Sequence, residues 1–106
     1  MQNGNGWGRH VAERACILRL DRTAAGGTVL DGIEGTGVGE RGMSYIGARV
    51  QCLACETVGH IEADRPRHEA DAIEGKLPAL ENDFCRCRCT PSPRLIASQR
   101  EWAYES

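Results

Sequence analysis

Large core-filling side chains are scarce in this chain: two tryptophans, two tyrosines and one phenylalanine among 106 residues. A domain this short buries only about two-thirds of the surface its unfolded chain exposes, so a core built mainly from aromatic packing is excluded. An excess of either charge is missing too. Lys+Arg (13) nearly balances Asp+Glu (15), for a formal net charge of −2. With no basic face to follow a phosphate backbone, nucleic acid is not an expected partner. No apolar run approaches the roughly 18 residues of a membrane span. The opening "MQNGNGWGRHVAERACILRL" has no signal-peptide core, because Arg9, Glu13, Arg14 and Arg19 interrupt it. The expected starting compartment is therefore the cytoplasm, where thiols stay reduced. Catalytic signatures are absent as well: there is no Ser/His/Asp pattern, no G-x-S-x-G and no P-loop. "GTGVGERG" (35–42) looks like a phosphate loop, but no βαβ unit surrounds it, and it reads as hairpin turns. The scattered carboxylates read as solvated turn residues, so the expectation is a protein that is not an enzyme.

Glycine and cysteine are what the chain has in quantity, thirteen and six respectively. Glycine raises the entropy cost of ordering the backbone, and a small chain so burdened folds more readily around a crosslink or a metal. Residues 1–9 are Asn/Gly-rich and read as a mobile end. Val11–Leu20 mixes two periods and suits a short helix or an entering strand. Thr28–Leu30 is a brief β-prone piece among turn formers. "MSYIGARVQCLAC" reads as a strand through Tyr45, Ile46 and Val50 that ends in a C-x-x-C turn. A further strand is expected near Leu77–Leu80, a helical turn within "RHEADAIEGKLPALEND", and a strand or short helix in "PRLIASQREWAYES".

An internal repeat underlies these pieces. "MSYIGARVQC" (43–52) overlays "PALENDFCRC" (78–87), matching Ser44 with Ala79, Gly47 with Asn82 and Cys52 with Cys87. Glycine and asparagine are the residues that most easily adopt a left-handed turn conformation, so the Gly47/Asn82 match has a physical basis. "ILRLDRTAAGG" (17–27) reads as a third, cysteine-free copy with Asp21 in the place of Asp83. Hairpin units too small to bury their own faces are expected to pack about a shared axis. Leu18, Leu20, Leu77, Leu80, Leu95 and Ile96 are candidates for inner or base-facing positions.

Cys52 and Cys55 form a C-x-x-C, and Cys87 and Cys89 a C-x-C. In a reducing compartment such pairs read as metal ligands before they read as disulfides. Zinc takes four soft or borderline ligands in a tetrahedron, often delivered as close-spaced pairs from two turns. The candidate set is Cys52, Cys55, Cys87 and Cys89, with His60, His68 and Cys85 as substitutes. A set of reduced structural thiols, or of disulfides formed late, is the competing reading of the same residues. Cys16 reads as a small buried hydrophobe, His10 as a solvated terminal residue, and His68, between Arg67 and Glu69, as a surface residue. A closed four-ligand site leaves no position for water and argues for a structural role.

The opening "LDRTAAGG", together with "SYIGARVQCLAC" and "ALENDFCRCRCTPSPRLIAS", resembles PAAR-repeat proteins, specifically their cysteine-rich branch, over residues 15–98. The family's G-D-x-T-x-x-G-G appears as Leu20-Asp21-Arg22-Thr23-Ala24-Ala25-Gly26-Gly27, with Leu20 in place of the first glycine. Its G-D before the metal cysteine appears as Gly47-Ala48 and as Asn82-Asp83, and "GKLPALEND" keeps Gly75, Lys76 and Ala79 of its signature. The resemblance implies an all-β fold: a small cone of short β-hairpins with pseudo-threefold symmetry, pinned by Zn2+ near the tip. Family members commonly use three histidines and one cysteine, where this chain offers cysteines. One such cone would cap the trimeric valine-glycine repeat spike of a bacterial type VI secretion system. It would assemble in the cytoplasm, be exported through that system, and meet a membrane only by puncture. The implied layout is a flexible extension (1–14), the cone (15–98) and a short tail (99–106), which leaves any effector or adaptor as a separate chain. A base of short strands would leave edges for the trimer to cover. The alternatives are a cytoplasmic thiol switch that releases zinc when its C-x-x-C and C-x-C oxidise, and a small zinc-ribbon-like binding module.

Overall fold

The computed structural model describes residues 13–105. Three hairpins carry the architecture: β2 (Arg22–Thr23) with β3 (Thr28–Val29), β6 (Arg49–Cys52) with β7 (Thr57–Glu62), and β8 (Phe84–Arg86) with β9 (Leu95–Ile96). Antiparallel pairing runs β8-β7-β6-β3-β2-β9. The ring then closes: Phe84 bridges Arg94, Cys85 N–H donates to Pro93 O at 2.8 Å and Leu95 N–H to Asp83 O at 2.8 Å. The edges expected at the base are therefore satisfied within the main sheet, because three twisted hairpins suffice to bring the last strand round to the first. Two two-stranded ribbons stand outside it. One is β4 (Ile33–Val38) with β5 (Arg41–Met43), and the other is β1 (Glu13–Ala15) with β10 (Ala103–Glu105).

The repeat seen in the sequence is a symmetry of the hydrogen bonds. Ile17 N–H donates to Ala79 O (2.9 Å), Ala79 N–H to Ser44 O (3.2 Å), and Ser44 N–H to Ile17 O (2.7 Å), a cyclic triangle linking the starts of the three units. Each unit then makes the same turn: Asp21 N–H reaches Leu18 O, Ala48 N–H reaches Tyr45 O, and Asp83 N–H reaches Leu80 O, all at 3.0–3.1 Å. The third residue of each turn has positive φ: Leu20 (74°), Gly47 (96°) and Asn82 (72°). This is the type II geometry, which favours glycine or asparagine there. Leu20 adopts it against its Cβ.

Two carboxylates lock these turns. Asp21, fully buried, accepts Leu18 N–H at 2.9 Å, the Arg41 guanidinium and the Ser98 hydroxyl. Asp83, equally buried, accepts Leu80 N–H (2.8 Å), Asp64 N–H (3.1 Å), Arg14 Nη2 (3.3 Å) and the Arg67 guanidinium. The middle unit has a buried alanine, Ala48, at the equivalent place.

The core follows from period-two alternation along short strands. Ile17, Val29, Ala48, Val50, Cys52, Ile61, Ala79, Cys85 and Leu95 form one cluster inside the ring, and Cys16, Leu18, Met43 and Leu80 a second. Leu20 (46% exposed) and Ile96 (52%) face outward, and Leu77 is half-buried, so the apolar candidates separate into three kinds.

Several expectations shift. Tyr45 and Ile46 lie in the turn, and the strand begins at Arg49, since Gly47 takes a conformation no strand residue adopts. Leu77–Leu80 forms only isolated bridges at Pro78 and Leu80. The polar segment "RHEADAIEGKLPALEND" does hold one turn, a 3-10 helix over Glu69–Asp71, and "GTGVGERG" lies in the β4–β5 hairpin. Glu13 and Arg14, assigned to the flexible extension, and residues 103–105, assigned to the tail, pair with one another across β1 and β10, because Arg14 is anchored on Asp64, Asp83 and Glu81 O. The rest of the extension, including His10, lies outside the described residues. Among the described residues no helix is long and apolar enough to cross a membrane.

Candidate metal centre

The cysteine cluster sits at the turn end of the second and third hairpins. Cys52 closes β6 and Cys55 lies in the following turn. Cys87 and Cys89 continue the line of β8. Alternation explains the "CRCRC" spelling: Cys85, Cys87 and Cys89 face inward while Arg86 and Arg88 are exposed. Cys85 is one step too deep. It pairs in register with Ile61, is fully buried, and occupies the position that Val50 and Thr23 hold in the other units. Ala25 stands where Cys52 and Cys87 stand, so the first hairpin brings no sulfur to the tip.

The sulfurs of Cys52, Cys55, Cys87 and Cys89 all lie within 4.8 Å of one another. Cys52 Sγ and Cys89 Sγ, from different hairpins, are 3.7 Å apart. A tetrahedron with metal–sulfur bonds near 2.3 Å has edges of about 3.8 Å, so the four need only small adjustments to hold one ion. The substitutes stand elsewhere. His60 is opposite Arg49 on β7, exposed, because its neighbour Ile61 takes the inward position. Cys85 belongs to the core, and His68 is exposed before the 3-10 turn. Cys16 is buried in the second apolar cluster.

Local electrostatics prepares one sulfur. The Thr57 hydroxyl, 3.0 Å from Cys55 Sγ, and the Arg88 N–H, 3.3 Å away, bring the Cys55 thiol down to about 6. Its neighbours move the other way. Contact with Cys52 and desolvation push Cys89 up to about 12, and burial, assisted by Cys52 and Cys55, raises Cys87. One thiolate is formed easily, and the next ones are opposed by it. A divalent cation would remove that opposition, so this donor set suits a metal. Cys85 and Cys16, both raised to about 12 by burial, remain neutral thiols.

Gly59 sets the approach of the two hairpins. A Cβ there would lie 2.1 Å from Arg86 O and 3.1 Å from Cys87 Cβ. Its lack of a side chain lets β8 press against β7 and carries Cys87 inward. Sequence reasoning missed Gly59, Thr57 and the Arg88 N–H. Thr57, two residues beyond the C-x-x-C, is the only one of the three that a motif-centred reading could have singled out. Four sulfur donors, one buried and three half-buried, suit a four-ligand structural site. The chain matches no family model, and neither the curated proteins nor the solved structures provide a match.

Proposed function

We propose that this chain is a non-enzymatic tip protein that caps the trimeric spike of a type VI secretion system, with a structural zinc held by Cys52, Cys55, Cys87 and Cys89. The observation that carries the reading is the cyclic hydrogen-bond triangle of Ile17, Ser44 and Ala79. A single chain with an internal threefold can meet a homotrimer with all three of its seats engaged, a match open to few monomers. The residue patterns shared with PAAR-repeat proteins support the same partner. So does the placement of the sulfurs at the hairpin turns, where little interior exists to bury.

In this reading the metal takes over the work of a core. A structural zinc contributes on the order of 10 kcal/mol to folding, comparable with the whole net stability of a small domain. The point stays stiff, and the ion performs no chemistry because no coordination position is open. Assembly in a reducing cytoplasm keeps the thiols available until export.

Two measurements test it. Elemental analysis of the purified chain should give one zinc per chain, and this should be lost in Cys52→Ser and Cys87→Ser but kept in Cys85→Ser. Light scattering with a trimeric valine-glycine repeat spike should give one chain per trimer. A chain that carries no stoichiometric metal refutes the zinc centre. Failure to bind any such trimer, or a three-to-one complex, refutes the cap.

A further inference from the structure

Cys52 and Cys89 lie across a joint between hairpins. Cys52 ends β6 of the second hairpin and Cys89 follows β8 of the third, and their sulfurs are 3.7 Å apart. A disulfide requires about 2.05 Å, so closing it needs about 1.7 Å of movement. The turn end that carries Cys89 is the freer side, since Cys52 is fully buried. Cys55 Sγ, besides its contacts with the sulfurs of Cys52 and Cys87, is held by the Thr57 hydroxyl and the Arg88 N–H. All six cysteines are free thiols in this state.

We propose that Cys52 and Cys89 are a second, covalent fastening for the tip: oxidation by a low-molecular-weight disulfide joins them, displaces the metal, and leaves the hairpin junction fastened. The inference rests on the convergence of the sulfurs, not on the spike and not on which metal is held. The chemistry balances by two thiol–disulfide exchanges. Cys89 gives up its proton to solvent as its sulfur attacks one sulfur of oxidised glutathione, forming a mixed disulfide and expelling one glutathione thiolate. The Cys52 thiolate then attacks the Cys89 sulfur, forming the protein disulfide and expelling the second. Two protein thiols are oxidised, one glutathione disulfide is reduced to two thiols, and a bound divalent ion is released as it loses two of its four sulfurs. Cys55 and Cys87 remain reduced. Cys85 and Cys16 take no part, because they stand outside the group of four converging sulfurs.

The metal-loaded full chain, treated with oxidised glutathione, tests this. The expected product is a monomer lighter by two hydrogens, with one equivalent of metal released to a chromophoric chelator. Trypsin separates Cys87 from Cys89, so the fragment joined to the Cys52 peptide identifies the partner, and fragmentation within that peptide distinguishes Cys52 from Cys55. The link should persist in Cys55→Ser and Cys87→Ser, and vanish in Cys52→Ser and Cys89→Ser. The oxidised, metal-free chain should melt at least about 10 °C above the reduced chain in chelator. A Cys52–Cys55 bond, a dimer, persistent glutathione adducts, or no gain in melting temperature overturns the proposal. None of these outcomes alters metal stoichiometry or trimer binding in the reduced protein, so the two readings fail separately.

Discussion

Replacing Asp83 with alanine offers a quantitative test of how the third hairpin is held. Its side chain is fully buried and receives two backbone N–H groups, from Leu80 and Asp64, as well as two guanidinium groups. The arginines have nowhere to go: the side chains of Arg14 and Arg67 are 9% and 3% exposed. Asp64 remains near both, at 3.0 and 3.5 Å, and Glu81 O still accepts from Arg14, but a full buried negative charge is lost from between the two cations. Breaking a buried pair by removing one partner costs about 3–5 kcal/mol. For a chain of this size that lowers the melting midpoint by roughly 15–30 °C. Asp21→Ala is the internal comparison. Its arginine, Arg41, is 33% exposed and can turn to water, so the loss should be nearer 1–2 kcal/mol. Ala48, at the same position of the middle unit, shows that the turn itself closes without a carboxylate. Thermal unfolding of the two variants in parallel checks the ordering. Equal losses, or an Asp83→Ala loss below about 1 kcal/mol, would refute the view that the buried positive charge beside Asp83 sets the cost.

Leu20 holds φ +74° with a half-exposed side chain. Leu20→Gly should raise the melting midpoint by roughly 2–5 °C, as relief of the left-handed strain outweighs the added chain entropy; a lower midpoint speaks against strain. Gly59→Ala should destabilise by about 3 kcal/mol and weaken metal binding at least about tenfold, read by competition with a chelator, while Gly47→Ala, with open space around its Cβ, should cost only the backbone term and leave metal affinity intact. In chelator, alkylation with iodoacetamide at neutral pH should mark Cys55 first. Its thiolate forms above about pH 6 and reprotonates below it, so its labelling rate should fall as the solution is acidified through that value. Cys16 and Cys85 should resist throughout. Acid should also weaken the fold. The hydrogen bond from Arg49 holds Asp31 below its ordinary 3.8, and that from Arg100 holds Glu81 below 4.5. Their stabilisation is present above those ordinary values and disappears as pH falls through the depressed folded ones, which urea titrations at pH 5 and pH 3 would resolve.

What could be read from the residues alone was whatever repeats or pairs at short range. The match of Gly47 with Asn82 reported a shared left-handed turn, and Asp21 in the place of Asp83 reported a shared carboxylate lock; both describe real equivalences in the hydrogen bonds. The grouping of a C-x-x-C with a C-x-C was likewise legible, because each spacing is local. Partners far apart in the chain left no such trace. Nothing in the sequence ties Arg67 or Arg14 to Asp83, or Ser98 to Asp21, because an arginine's reach is set by the folded path and not by spacing. The pairing of Glu13–Ala15 with Ala103–Glu105 was hidden for the same reason. Cys85 was readable after all: strict alternation from Cys89 and Cys87 puts it on the inner face, one layer below the sulfurs that meet.

Closure of the main sheet between β8 and β9 fixes how large this object can be. Three repeats use up every strand edge in the circle, so a fourth unit would find no vacancy, and two would leave a gap. Unlike a solenoid, whose length drifts by gain or loss of modules, a closed trio is an all-or-nothing count. Duplication within such a chain is thereby channelled into the outlying ribbons and connections, where added length disturbs no pairing, while the point itself keeps a constant calibre.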